Sequence, residues 1–165
     1  MPAHEITLRF LAEPSDVNFG GKVHGGSVMS WIDRAGYTCA ANWSASYCVT
    51  AYVSGIRFLK PINVGDLVEV QAELMHTGHT SMHISVSVHA RNPRIQEDRF
   101  TTHCILVFVA TDENGHPTPV PGFTPETPRQ KHLNHYARRM IELREGLNEE
   151  SRRMLKELEE EHLRR

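Results

Sequence analysis

The sequence predicts an α+β protein: five mostly antiparallel strands packed on one buried helix, with a helical tail behind them. Two observations carry this. Apolar residues recur with a strand period in one segment before and four segments after a single long stretch of small and apolar residues. The last quarter of the chain then changes composition: residues 126–165 hold nine acidic and ten basic residues, half of the charged total, after a stretch with five prolines, Pro117 to Pro128.

Taken in order, Glu5–Leu11 is a short strand and residues 13–21 a loop rich in Pro, Asp, Asn and Gly. His24 to about Asn42 is the helix, whose only charged residues are Asp33 and Arg34. The segment 47–59 is a strand whose apolar parity shifts between Val53 and Ile56, which predicts a bulge at Gly55. In 66–76, Val68, Val70, Ala72 and Leu74 share one face. In 80–91, Met82, Ile84, Val86 and Val88 oppose His83, Ser85, Ser87 and His89. The unbroken apolar run at 104–110 makes 100–110 a central strand. In the tail, Leu147-Asn148-Glu149-Glu150 reads as a helix start with Asn148 as cap. Leu147, Met154, Leu155 and Leu158 give it a narrow apolar stripe, suited to docking on its own body or a neighbour. Two units are therefore expected, 1–125 and 126–165.

Composition excludes several classes. The 165 residues carry a formal charge of −2, so there is no basic nucleic-acid footprint. No apolar run reaches the roughly 18 residues of a membrane span, and the first ten residues lack the order of a signal peptide. Three widely spaced cysteines, Cys39, Cys48 and Cys104, fit neither a disulfide framework nor a zinc site and point to the cytoplasm. The eleven histidines include no HExxH and no cysteine-histidine set, so no metal is expected.

Three features could carry chemistry. Asp33 sits on a helix that is apolar nearly all round, an environment that penalises a carboxylate. It is either a general base or a structural acid with a partner on a strand. His24-Gly25-Gly26 opens the same helix, where unpaired amides can hold a carbonyl oxygen; the same string can also be a plain turn. Asn18 could orient a water or a carbonyl, or simply form a turn.

The string NFGGKVHGGSVMSWIDRAGYTCA, with Tyr47-Cys48-Val49-Thr50, the segment from Phe58 to Asp66, and Gly78-His79-Thr80-Ser81-Met82 at matching intervals, resembles the hotdog-fold acyl-CoA thioesterases over about residues 5–125. It is most similar to the broad-range bacterial acyl-CoA hydrolases that are related to the cytosolic and brain-type enzymes of mammals. The resemblance implies a five-stranded antiparallel sheet wrapped around the helix and hydrolysis of acyl-CoA to a free fatty (carboxylic) acid and CoA. It implies no cofactor beyond the coenzyme A of substrate and product, and a homodimer assembled as a homohexamer, a trimer of dimers. Asp33 would be the general base, or else a nucleophile. Asn18 would position the water or the thioester, and the Gly25 and Gly26 amides would hold the carbonyl oxygen. Arg57, Lys60, Gly78, His79, Thr80 and Ser81 would contact CoA, with His79 standing where arginine is common. Gly26 and Asp33 lie seven residues apart, roughly 10 Å along a helix. A composite site is therefore expected, with Asn18 and the glycines from one subunit and Asp33 from its partner. A hotdog dehydratase lacks support because no His-Phe-Pro string is present. A non-catalytic acyl-CoA sensor would have little need of Asp33 or Asn18.

Overall fold

The structure is a computed structural model that describes residues 3–95 and 97–163. It divides into two units, 1–124 and 125–165. In the first unit the strand-period segments form one antiparallel sheet. Its elements are β1 (Glu5–Leu11), β2 (Tyr47–Val53), β3 (Arg57–Phe58), β4 (Leu67–Thr77), β5 (Ser81–Arg91) and β6 (Asp98–Thr111). The order across the sheet is β1-β4-β5-β6-β2, with β3 also on β6, so β2 and β3 together make a fifth position at the edge. One 3₁₀ turn (Pro14–Asp16) and the helix α1 (Gly25–Ser44) lie between β1 and β2.

Alternation decides which face is inside. Val68, Val70, Ala72 and Leu74 of β4, Met82, Ile84, Val86, Val88 and Ala90 of β5 and Cys104, Leu106, Phe108 and Ala110 of β6 all point to one side, where they are buried. They close over Val28, Trp31, Ile32, Ala35, Cys39, Ala40 and Trp43 of α1. Gly36 sets how closely the helix approaches. A Cβ there would lie 2.6 Å from Leu106 Cδ1 and 2.8 Å from the Phe108 ring. This is the hotdog arrangement, a helix held in a curved sheet.

Two details differ from the sequence reading. The expected bulge at Gly55 is instead a break: the ladder slips between Thr50 and Tyr52 and lapses over Ser54–Ile56. Ser54 bridges the gap, its N–H donating to Ile105 O and its Oγ accepting from Ile105 N, both at 2.9 Å. The proline-rich stretch is not a free linker, because Val120 N donates to His79 O and Phe123 N to Thr77 Oγ1. Trp43 Nε1 donates to Pro121 O at 2.9 Å.

In the second unit a single helix, α2 (Pro128–Leu163), runs for 36 residues, about 54 Å. The predicted start at Asn148 is therefore wrong, since Asn148 lies inside the helix. The true start is a capping box at Thr127-Pro128-Arg129-Gln130. Gln130 N donates to Thr127 Oγ1, and Gln130 Oε1 accepts from Thr127 N. Glu149 and Glu150 suit a first turn, but they sit on a helix already propagating through Gly146, a residue that costs only about 1 kcal/mol there. Residues 149–162 are exposed all round. Among the described residues, no helix is long and apolar enough to cross a membrane.

On the outer face of the sheet, His103 Nε2 and Ser85 Oγ lie 3.0 Å apart. Burial, and then the Arg57 charge, push the His103 pKa below 6.5. The unfolded chain therefore binds the proton more tightly than the folded one. The associated stability is complete above pH 6.5 and is lost as pH falls from there toward the lowered folded pKa. Two outcomes are expected in urea unfolding. Gly36→Ala lowers stability by about 1–2 kcal/mol through overpacking. His103→Gln reduces the loss of stability between pH 6.5 and 5.

Candidate active site

Asn18 is held by the loop it opens. Its backbone N–H donates to Lys22 O at 2.7 Å, and Gly21 N returns to Asn18 O at 3.0 Å with Gly21 at φ +73°. The side-chain oxygen accepts from Gly20 N at 2.8 Å and from Lys22 N at 3.2 Å. Two N–H donors aimed at one atom identify that atom as the carbonyl oxygen, so the amide NH2 is the end turned away from the loop. Of the two roles expected from the sequence, the loop leaves the donor role: Asn18 can donate to a carbonyl oxygen.

The start of α1 lies beside this loop. His24 is the N-cap, and its Nδ1 accepts from Gly26 N at 2.9 Å. The Gly26 amide expected at a carbonyl site is thus already donated to a side chain. Gly26 lacks a Cβ because one would lie 3.0 Å from His24 Nδ1. Gly25 N–H has no partner among the described residues. A groove of about 350 Å³ opens here, lined by Asn18, Lys22, Gly25, Phe58 and Lys60 over an apolar floor that includes Val23, Val28 and Ile62. Arg57 is not in the groove: its charge acts on His103 on the outer face. Of the two cations expected at CoA, only Lys60 lines this groove.

Asp33 departs from its expected environment. Met29, Ser30, Asp33 and Arg34 are exposed, so the helix is apolar on three sides rather than all round. The buried residues of α1 recur at helical spacing and leave this strip facing away from the sheet. Asp33 Oδ1 accepts from Thr50 Oγ1 of β2 at 2.7 Å, while Oδ2 has no partner among the described residues. Thr50 is the partner of Asp33 that sequence reasoning missed. It appeared there only as part of a matching block, and nothing local marks a strand threonine as the partner of an acid 17 residues earlier.

Register shows how far apart these groups are. Thr50 stands opposite Phe108 and Phe58 opposite Thr102 on β6, six residues or about 20 Å along the strand. Phe58 touches the Gly25 position. One protomer therefore carries an Asn18–Gly25 end and an Asp33–Thr50 end. Gly78, His79, Thr80 and Ser81 form a tight turn on the Asp33 side: Gly78 N donates to Ser81 O at 2.9 Å, and Ser81 pairs with Val109 beside Phe108. A Cβ on Gly78 would lie 2.6 Å from Ser81 Oγ. Gly78 and His79 are exposed, with Thr80 and Ser81 half-buried.

The cysteines do not serve as nucleophiles here. All three are buried free thiols, and burial pushes Cys39 and Cys104 up to about 12. Among the described residues, no cluster of His, Cys, Asp or Glu could hold a metal ion.

A helix wrapped by an antiparallel sheet, with an acid on its exposed strip and the Gly25 N–H open at its start beside the Asn18 amide, defines a hotdog thioesterase-type site. The Thioesterase superfamily profile matches residues 20–96. The acyl-CoA thioester hydrolase YciA of Salmonella typhimurium is 35% identical over 123 residues, 73% of this chain and 92% of that one. A hexameric acyl-CoA thioesterase, solved in its apo form, superposes with TM-score 0.85 at 34% identity, covering 88% of this chain and 93% of that one. An acyl-CoA hydrolase from Staphylococcus aureus, solved with butyryl coenzyme A and coenzyme A, superposes with TM-score 0.86 at 28% identity, covering 94% of each. The chain belongs to the thioesterase superfamily. Variants of the Staphylococcus enzyme have been solved with an asparagine, an aspartate or a threonine replaced by alanine. The intervals between those three residues are the intervals between Asn18, Asp33 and Thr50.

If Thr50 orients Asp33, Thr50→Val should lower kcat on an acyl-CoA by about tenfold or more with little change in KM. Thr50→Ser should restore most of it. Steady-state thiol release measures both.

Proposed function

We propose that this protein is an acyl-CoA thioesterase that hydrolyses the thioester to a free carboxylic acid and CoA, with Asp33 as general base. The observation that carries the reading is the Asp33–Thr50 hydrogen bond. It fixes one carboxylate oxygen and leaves the other open on an exposed strip, the arrangement a base needs to take a proton from water. The water oxygen adds to the thioester carbon as Asp33 Oδ2 accepts its proton. The carbonyl oxygen gains the negative charge and is held by the Asn18 NH2 and the Gly25 N–H. The carbonyl then re-forms, the C–S bond breaks, and the proton passes to the departing sulfur. The residues invoked need no resident cofactor, and CoA enters and leaves as part of substrate and product. The Gly78–Ser81 turn, on the Asp33 side, is the proposed contact for the CoA arm.

These groups belong together only across two subunits. The distance along β6 and the eight residues between Gly25 and Asp33, about 12 Å of helix, keep the two ends of one protomer apart. β2 has one edge unpaired, and Met29, Tyr47, Val49, Tyr52 and Phe58 are exposed around it. We propose that a second copy covers this surface and brings its Asp33 to the Asn18 and Gly25 of the first. Hexameric thioesterases among the similar structures support a homohexamer, which we propose is built as a trimer of such dimers. Three unpaired thiols suit the reducing cytoplasm.

The test is thiol release from a series of acyl-CoAs. Asp33→Ala and Asn18→Ala should each fall by about 100-fold or more, the scale of a lost base or oxyanion donor. Subunits of the two variants, exchanged and shown by mass to have mixed, should regain part of the activity. No recovery would sink the composite site, and full activity in Asp33→Ala would sink the base.

A further inference from the structure

Lys22 and Lys60 are the two cations on the groove beside Asn18 and Gly25. Neither pairs with a carboxylate among the described residues. Lys22 Nζ donates to the neutral amide oxygen of Asn63 at 2.7 Å, and the Lys60 ammonium has no described partner. Between them the walls are Val23, Val28, Phe58 and Ile62. The groove is thus an apolar slot rimmed by two positive charges, next to the amide that donates to the reacting carbonyl. A plain alkyl tail would use the walls and leave both ammonium groups without a counter-charge.

Resting on the thioesterase reading above, we propose that the preferred acyl group is short and ends in a carboxylate, a dicarboxylic acid joined to CoA through one end, with its free carboxylate held by Lys22 and Lys60. Two anions on an acyl-CoA could answer to these lysines, the distal carboxylate of such an acyl group or the phosphates of CoA. Distance selects the first. Lys22 is tied to Asn18 by two hydrogen bonds, Asn18 N to Lys22 O at 2.7 Å and Lys22 N to Asn18 Oδ1 at 3.2 Å, so its side chain starts beside the carbonyl-binding amide. The extended pantetheine arm separates the phosphates from the thioester by many bonds. A four-carbon diacid places its carboxylate only a few bonds away. The composite site separates the two ends of the substrate in the same sense. The CoA arm lies toward the Gly78–Ser81 turn of the subunit that gives Asp33, and the acyl end toward the groove of the subunit that gives Asn18.

Succinyl-CoA and butyryl-CoA share a four-carbon acyl chain and differ in the terminal carboxylate. Their hydrolysis is compared in wild type, Lys22→Met and Lys60→Met; methionine retains an apolar stem and removes the charge. The wild type should favour the succinyl ester in kcat/KM. Each substitution should lower the succinyl-to-butyryl ratio by about two- to fivefold, mainly through KM. The same fall should appear with the succinyl and butyryl thioesters of N-acetylcysteamine, which carry no phosphate. A ratio that neither substitution moves overturns the proposal. So does a loss shared equally by both CoA esters and absent from both N-acetylcysteamine esters, which would assign the lysines to phosphate. In either case, butyryl-CoA turnover that disappears in Asp33→Ala leaves the thioesterase reading standing. Absence of turnover on every ester by the wild type overturns both.

Discussion

The close packing of α1 inside the curved sheet is the constraint on which the rest depends. Where Gly36 meets Leu106 and Phe108 there is no room for even one methyl group. That contact sets the depth of the helix, and the helical period then dictates which residues are left outside. Val28, Ile32, Ala35 and Cys39 turn inward, so Met29, Asp33 and Arg34 turn outward. The acid is displayed because it shares a helix face with the exposed Met29 and Ser30, turned away from the buried Ile32 and Ala35. Thr50 can reach it because β2 lies at the edge of the sheet, beside that exposed strip.

The helix start works in the same way. A free helix terminus would offer several amides, but His24 takes the Gly26 N–H and the helical bonds from Ser27 and Val28 to His24 O take the next two. One glycine amide remains, beside an asparagine whose oxygen the loop has already used. The site is defined as much by hydrogen bonds made within the loop as by those left over. Electrostatics follow suit: the groove next to Asn18 carries two ammonium groups with no carboxylate partner among the described residues, while the acid stands at the other end of the protomer. A molecule with opposite charges at opposite ends invites a second copy in reversed orientation.

Much of this was legible in the amino-acid string. Strand alternation marks the inner face of β4 and β5 residue by residue, because side-chain direction in a strand is a local property. The Asn18-to-Asp33 string and its downstream blocks carry the resemblance to the hotdog thioesterases, because it consists of residue types at fixed intervals. The tail was misread where local signals competed. Asn148-Glu149-Glu150 looks like a helix start, yet a helix already propagating has little reason to stop there. The capping box at Thr127–Gln130 was the better signal.

What the sequence determined by itself is the order of elements and the faces they bury, which follow from period, turn residues and short-range spacing; the class of chemistry came from the resemblance that its motifs carry. What only the tertiary structure decided is the exposure of Asp33, its bond to Thr50, the use of the Gly26 amide by His24 and the place of Lys60, but not Arg57, on the groove. Each of these depends on where a residue distant in the chain, or a side-chain rotamer, comes to rest. A helix that reads as apolar all round still has one side facing away from its sheet, and only packing shows which side that is.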